Sequence, residues 1–496
     1  MITFYISLTI LIAGYFFYGK LCEHIFGADK NRMTPAIANP DGVDYIVLPN
    51  WKIFLIQFLN IAGLGPVFGA IMGAKFGSAS FLWIVFGCIF AGAMHDYFAG
   101  MISLRNNGEG LPTTIGRYLG KHAQFIMQIF TIFLLIIVSA VFTSGPANLL
   151  AGITPEYLDD TFWIFVIFGY YIIATLFPIN KIIGRIYPIF GFALLFMAVG
   201  ILGYMIIENP NIPEFHEALK NSHPDSDSNP IFPMMFVSIA CGAISGFHAT
   251  QSPLMARCMK NEKQGRPIFF GAMITEGIVA LIWAAAATYF FSPEGQQVFG
   301  ITDESTNSNA ATITNLIANN WLGIAGGLLA ILGVIAAPIS TGDTALRSAR
   351  LIIADFFKFE QKSLKRRLII SIPLFVATIT ILLFSLLDKN GFEIIWRYFA
   401  WSNQVLAVIT LWAIAIFLRR ERKGMWWIIS YIPALFMTAM TLTFILFSPV
   451  GAGLSYNISV IISIAIATLC GIWFIAKSGK KEELQKSKNQ GQKLTS

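Results

Sequence analysis

The sequence predicts an all-α polytopic membrane protein of about thirteen transmembrane helices, N-terminus outside and C-terminus inside, containing a five-plus-five inverted repeat. Three observations predict it. The 496 residues are 56% hydrophobic, 14% aromatic and 12% charged, far from the roughly 25% charge of soluble domains. Charge alternates from one connecting loop to the next. Two long apolar runs, about 180 residues apart, are each interrupted by glycine and proline. The net charge of +7 is carried by basic loops, so no nucleic-acid partner is expected; the partner is the lipid bilayer. Five cysteines, Cys22, Cys88, Cys241, Cys258 and Cys470, have no metal-ligand spacing and read as packed or lipid-facing thiols.

A helix of roughly 20 apolar residues rising 1.5 Å each crosses a hydrocarbon core of about 30 Å. Runs of that kind fall at 2–18, 53–76, 80–104, 123–146, 161–180, 186–207, 231–258, 268–291, 321–352, 367–387, 393–418, 425–447 and 456–476. Residues 1–18 read as a retained peripheral span, since no basic residue precedes them and no small-residue cleavage site follows. Residues 19–52 form a cytoplasmic loop with Pro35, Pro40, Asp41, Gly42 and Pro49, read as a connector or a gate. Residues 53–207 hold the first repeat, 208–230 an extracellular loop, 231–418 the second repeat and 425–476 a peripheral hairpin. The Lys/Gln/Ser-rich tail, 477–496, reads as disordered.

Loop charge fixes the expected orientation. Basic residues cluster at Lys20 to Lys52, Arg105 to Lys121, Lys181/Arg185, Arg257 to Arg266, Lys358 to Arg367, Arg419 to Lys423 and beyond Lys477. The intervening loops carry Glu156/Asp159/Asp160, Glu208 to Asp227, and Glu294/Asp303/Glu304, with Lys220 and Lys389 as exceptions. Basic loops stay in the cytoplasm.

The first break is Ile61-Ala-Gly-Leu-Gly-Pro-Val-Phe-Gly69, where Pro66 has no N–H for the carbonyl of Ala62. The second is Cys241-Gly-Ala-Ile-Ser-Gly-Phe-His-Ala-Thr-Gln-Ser-Pro253. Opened backbone at membrane depth is tolerated where protein or a water-filled cavity satisfies it. Matching breaks in two halves point to a transporter built from inverted repeats. Each break opens a five-span group, a plan that resembles the leucine-transporter (APC superfamily) fold.

Several motifs add a resemblance. They are Asn60-Ile-Ala-Gly-Leu-Gly-Pro-Val-Phe-Gly-Ala, Ala91-Gly-Ala-Met-His-Asp96, Ser103-Leu-Arg-Asn-Asn-Gly108, Ala240-Cys-Gly-Ala-Ile-Ser-Gly-Phe-His-Ala249, Gly342-Asp-Thr-Ala-Leu-Arg-Ser-Ala-Arg350 and Ser402-Asn-Gln-Val-Leu-Ala407. Together they resemble the carbon starvation protein A family, over roughly residues 40–410. The resemblance implies starvation-linked import of peptides or, in some members, pyruvate at the cytoplasmic membrane, and a short form of the family. Gln57-Phe58 stands where a His-His pair is usual.

Half-helix N-termini at the breaks suit a carboxylate and exposed carbonyls suit a cation. The expected substrate contacts are Ala62, Gly63, Leu64, Gly65 and Pro66, then Gly242, Ala243, Ser245, Gly246 and His248, with Asn403 and Gln404 bonding substrate or fastening helices. The alternative for the glycines is close helix packing. His248 reads as a proton carrier or as a packed neutral histidine. His95 and Asp96, adjacent on a helix and about 100° apart, are not expected to face one site. Asp96 is the better candidate for coupling, toward the cytoplasmic third of its span. Glu276 is a further membrane carboxylate. The leucine-transporter resemblance implies Ser340 and Thr341 as sodium ligands. Asp343 reads as an ion or proton group, or as an i,i+4 partner of Arg347.

The functional expectation is an ion-coupled nutrient importer taking up peptides by alternating access, with proton or sodium as coupling ion and no cofactor. The alternatives are a proton-coupled symporter of pyruvate or a similar carboxylate, and a sensor or channel on a transporter scaffold. No Gly-x-x-x-x-Gly-Lys-Ser/Thr loop or His-Glu-x-x-His cluster supports a nucleotide-driven pump or an enzyme. Gly65→Leu or Gly246→Leu is expected to abolish uptake with the fold intact.

Overall fold

The computed structural model describes residues 1–176, 183–214, 220–301, 310–361, 363–388, 391–422, 424–449 and 451–493. Lys181, Asp303, Glu304, Lys389 and Lys423, used in the charge alternation, lie outside the described residues, as do 494–496 of the tail. Every regular element among the described residues is helical. Among the described residues ten helices are long and apolar enough to cross a membrane, eleven when the bent pair Asn50–Ala62 and Gly65–Ala74 counts as one span.

The difference from thirteen has a physical origin. One expected span is the helix Asp160–Leu176, apolar but short among the described residues, and the other is the second broken span, divided into pieces too short to cross alone. In order, α1 is Ile2–Phe26, α2 Asn50–Ala62, α3 Gly65–Ala74, α4 Ala79–Arg105, α5 Leu111–Leu119, α6 Lys121–Ala151, α7 Asp160–Leu176 and α8 Ile183–Glu208. After short turns at Ile231–Met235, Phe236–Ser238 and Ala240–Ala243 come α9, His248–Ala256, and α10, Glu262–Phe290. Then follow α11 (Ala310–Phe357), α12 (Leu364–Leu387), α13 (Gly391–Glu421), α14 (Ile428–Phe447) and α15 (Tyr456–Lys493). The last helix continues into the tail expected to be disordered.

Loop contacts sort the molecule into two faces. On one, Arg105 Nη2 donates to Gly27 O (2.7 Å), Lys263 pairs with Glu23 (2.9 Å), Leu48 N donates to Cys258 O (3.1 Å) and Arg420 donates to Tyr118 O (3.2 Å). On the other, Thr3 N donates to Glu214 (2.7 Å), Ser78 Oγ donates to Pro213 O (2.9 Å), and the Phe76 ring lies 4.9 Å from that of His223. The expected basic and acidic loops therefore segregate. The first broken span runs from the basic face to the acidic one and the second runs back, so the two breaks are antiparallel.

The breaks pack directly on each other. Gly63 sits at φ +49°, and a Cβ there would lie 2.7 Å from the Phe142 ring, so the chain can turn out of α2 only with glycine. Beyond it α3 bends 52° from α2, with Pro66 in its first turn, where the missing N–H leaves no bond unmade. Gly65, Gly69 and Gly73 recur every four residues and bring α3 against Cys241, the Ser238 carbonyl and Ile239. The expected tests at Gly65 and Gly246 are corrected by this packing. A Cβ on Gly65 would collide with Cys241, and one on Gly246 with the α13 backbone, so a leucine would disturb the fold itself.

A Cβ at Gly69 would meet the Ser238 carbonyl at 2.8 Å, whereas one at Gly169 on α7 meets nothing within 4 Å. Gly69→Ala should lower the melting temperature of the purified protein, and Gly169→Ala should leave it unchanged or raise it by the helix-propensity gain of about 0.5–1 kcal/mol.

Candidate functional site

The second break is where most expected site residues converge. Ile244 is fully extended (φ −159°, ψ 134°) and α9 begins at His248. The freed backbone is satisfied from α13. Asn403 O accepts from Gly246 N (3.2 Å), Asn403 Oδ1 accepts from Phe247 N (2.6 Å) and Ser245 Oγ (3.0 Å), and Gln404 Nε2 donates to Ile244 O (3.1 Å). Asn403 thus caps α9, and the helix N-terminus expected to receive a substrate carboxylate is already occupied. Gly242 and Gly246 likewise serve close packing, against Ala280 and α13. Asn403, Gln404, Ser245, Gly242 and Gly246 hold the break in shape.

His248, at the start of α9, turns into a buried chain of titratable groups. Its Nδ1 lies 2.8 Å from Asp96 Oδ2, and the other Asp96 oxygen lies 2.8 Å from His95 Nδ1. His248 Nε2 faces Glu276 Oε2 at 3.6 Å. All four side chains are 0% exposed. This corrects two expectations: His95 and Asp96 do share one site, and Asp96 lies at the depth of the second break. The 100° between neighbouring residues is absorbed by the side chains, because a short carboxylate with two oxygens bridges two rings.

With Asp96 ionised, its hydrogen bond requires a proton on His248 Nδ1, and Nε2 is then the ring atom facing Glu276 that can take up or release a proton. A buried charge is tolerated only when paired, so a proton entering here is shared among a histidine and its flanking carboxylates. His248 also lies near the carbonyl of Ile61, one residue before Ala62 at the end of α2. The chain therefore joins the two breaks.

At the first break, Thr341 Oγ1 donates to Leu59 O (3.0 Å) and Ser340 Oγ approaches the same carbonyl at 3.5 Å. Both hydroxyls also reach Ala337 O, at 3.0 and 2.6 Å. Two residues noted in the sequence motifs but not placed in the site stand on the same stretch of α2. Gln57 and Asn60, one turn apart, are 0% exposed, and none of their four side-chain polar atoms has a hydrogen-bond partner among the described residues. Asparagine and glutamine inside an apolar run were the signal for them. Among the described residues no three His, Cys, Asp or Glu side chains group as metal ligands.

Asp343 is buried on α11 beside Tyr171, and Arg347, one turn further on, also reaches a carboxylate outside its own helix. Arg347 Nη1 pairs with Asp44 Oδ1 (3.3 Å) and its Nη2 donates to Ala174 O (2.6 Å). Asp44 belongs to the loop before α2, and it was absent from the sequence reading because nothing local distinguishes it from a solvated turn residue. Burial pushes its carboxyl up, but Arg350, Arg347 and Arg257 together outweigh that and hold it below the usual carboxylate range. Its stabilisation is present above the unfolded value near 3.8 and is lost as pH falls through the lower folded value. Acidification that titrates a histidine leaves this pair ionised.

The family model described as carbon starvation protein CstA matches residues 1–157, 153–324 and 308–444. The chain belongs to the CstA family. A peptide transporter CstA of Bacillus subtilis is 27% identical over 82% of this chain and 83% of its own length. The pyruvate/proton symporter BtsT of Escherichia coli is 27% identical over 57% of this chain and 48% of its own length. An uncharacterized membrane protein of Haemophilus influenzae is 42% identical over 60% of this chain and 93% of its own. Among solved structures, a manganese transporter of Eremococcus coleocola superposes with a TM-score of 0.55 at 13% identity, over 89% of this chain and 98% of its own, which establishes a shared fold. This CstA-family chain is a multi-pass membrane protein and a membrane transporter.

Because Asn403 satisfies Phe247 N and Ser245 Oγ in a buried setting, Asn403→Ala should destabilise the purified protein by about 1–3 kcal/mol. A thermal melt in detergent reads this directly, and Asn403→Asp, which keeps the acceptor, should lose less.

Proposed function

We propose that this CstA-family protein is a proton-coupled importer of small nutrients bearing a carboxylate, with the basic face in the cytoplasm. The observation that carries the reading is the chain His95–Asp96–His248–Glu276: four buried ionisable groups, two carboxylates and two imidazoles, linking α4, α9 and α10 beside the Ile61 carbonyl of the first broken span. Such a group inside the membrane is costly unless it pairs and moves charge. A proton reaching His248 Nε2 or Glu276 changes the charge at the junction of the two breaks. The antiparallel spans then rock against the remaining helices in the manner of inverted-repeat carriers.

Short peptides are the first substrate class, since relatives named peptide transporter align with 82% and 88% of the chain. Pyruvate or a similar carboxylate is the second reading, favoured by the proton chain together with the relative named a pyruvate/proton symporter. Sodium coupling through Ser340 and Thr341 receives less support. Their hydroxyls donate to Leu59 O and Ala337 O, so the carbonyls that an ion would use are already satisfied by protein. Gln57 and Asn60 are the side chains we assign to the substrate, because their polar atoms are buried and open.

Two outcomes test this. Glu276→Gln and His248→Gln should abolish accumulation driven by an imposed proton gradient while substrate exchange across proteoliposomes at equal pH persists; gradient-driven accumulation in both variants would refute the proton chain. Gln57→Leu and Asn60→Leu should lose substrate binding by at least tenfold, about 1.4 kcal/mol, with the melting temperature unchanged or raised, since each removes an unsatisfied buried polar group. Binding equal to the parent protein would remove them from the site.

A further inference from the structure

The basic face holds an arrangement that the proton chain does not use. Arg257 follows α9, Arg347 and Arg350 lie on α11, and Arg367 lies on α12; they are 4%, 0%, 0% and 7% exposed. The carboxylates facing them are Asp44, 3% exposed, and the half-exposed Asp355. Asp44 Oδ1 lies 3.3 Å from Arg347 Nη1 and its Oδ2 lies 3.6 Å from Arg350 Nη2, while Asp355 stands 3.7 Å from Arg257. Arg367 donates to Leu176 O (2.6 Å), Arg257 Nε to Gly108 O (2.9 Å) and Arg350 Nη1 to Gln361. Arg350 Nε has no hydrogen-bond partner among the described residues. Four cations thus gather around Asp44 in a largely buried setting, with Asp355 and, farther off, Asp41 also acting on them.

The carboxylate in the middle is delivered by a loop. Asp41 Oδ1 accepts from the N–H groups of Val43, Asp44 and Tyr45 at 2.8–2.9 Å, a turn that presents Asp44 inward. Tyr45 OH to Asn107 O (3.0 Å), Asn39 to Asn107 (2.9 Å), Leu48 N to Cys258 O (3.1 Å), Cys258 Sγ to Asp44 O (3.9 Å) and, earlier in the loop, Thr34 Oγ1 to Met259 O (2.6 Å) fasten the segment. A narrow crevice of about 10 Å³, lined by Thr250, Pro253, Leu254, Arg257, Ser348 and Asp355, touches Arg257. A second, also of about 10 Å³, shares Pro253 and reaches Ala249, next to His248. Both are room for about one water each, and both lie along α9.

We propose that Arg257, Arg347 and Arg350 form a carboxylate-binding site at the basic mouth, which Asp44 occupies as a tethered stand-in and which substrate takes over as it leaves. Guanidinium forks match a carboxylate, and the Asp44 side chain is acetate attached to a backbone. Exchange of one carboxylate for another lets the loop swing away without leaving the arginines bare in a buried site. The inference rests on the reading that the substrate carries a carboxylate, but its first test needs no transport.

Asp44→Gly in the full-length purified protein should lower the melting temperature, and millimolar acetate should restore it where chloride at equal ionic strength does not. Adding Arg350→Gln should erase the restoration. Asp44→Ala, which keeps a Cβ and still vacates the carboxylate position, carries the same comparison with formate if the glycine variant does not fold. Equal effects of acetate and chloride, or restoration that survives loss of Arg350, would overturn the site. For the exchange step, Val43→Cys in a Cys470→Ser background should be alkylated several-fold faster with pyruvate or a dipeptide present than with chloride. Acetate restoration without that acceleration would refute exchange by substrate while keeping the anion site. Failure of proton-driven uptake alone would bear on the proton chain and not on this one.

Discussion

Backbone opened inside a membrane must find hydrogen bonds, and most of this structure follows from how that demand is met. At the second break the demand falls on Ile244 to Phe247 and is answered by Asn403 and Gln404 on α13. At the first it falls on the end of α2 and is answered in part by Ser340 and Thr341 on α11. The partners come from helices far away in sequence, so the two broken spans cannot form before the bundle has assembled. Glycines at four-residue spacing then let the spans approach backbone to backbone, and the titratable chain bridges the place where they meet.

Two charge systems result, and their chemistry differs. The His95–Asp96–His248–Glu276 chain contains imidazoles, whose ordinary pKa lies near 6.5, so it can respond to the pH difference a cell maintains. The arginine group around Asp44 cannot, because arginine stays protonated and the Asp44 carboxyl is held low. In this account the first system senses the coupling ion and the second senses a carboxylate. One crevice-lined helix, α9, begins with the first and ends at the second.

Much of the architecture was legible in the sequence because it depends on local chemistry. Pro66 with Gly63 marks a break wherever it occurs in an apolar run, and basic loops mark a face; both expectations match the contacts, with the breaks antiparallel as parity requires. The motif residues also pointed to the right helices, and the family that they resemble is the family of the chain. What was not legible depends on partners distant in sequence. Asp44 became a hub only because the loop folds onto Arg347 and Arg350, some 300 residues on. Asn403 and Gln404 could be read only as bonding substrate or fastening helices, because a polar pair in a span looks the same whether it binds a ligand or another helix. The spacing argument against His95 with Asp96 treated helix positions as rigid vectors and left out the reach of the side chains.

The measurement that bears most directly on this account is uptake of labelled dipeptide and labelled pyruvate into proteoliposomes in sodium-free buffer with an imposed inward proton gradient. The account predicts accumulation of at least one substrate above equilibrium, abolished when a protonophore collapses the gradient. Accumulation that requires a sodium gradient and ignores the proton gradient would contradict it, and would move the coupling site from His248 and Glu276 to the hydroxyls of Ser340 and Thr341.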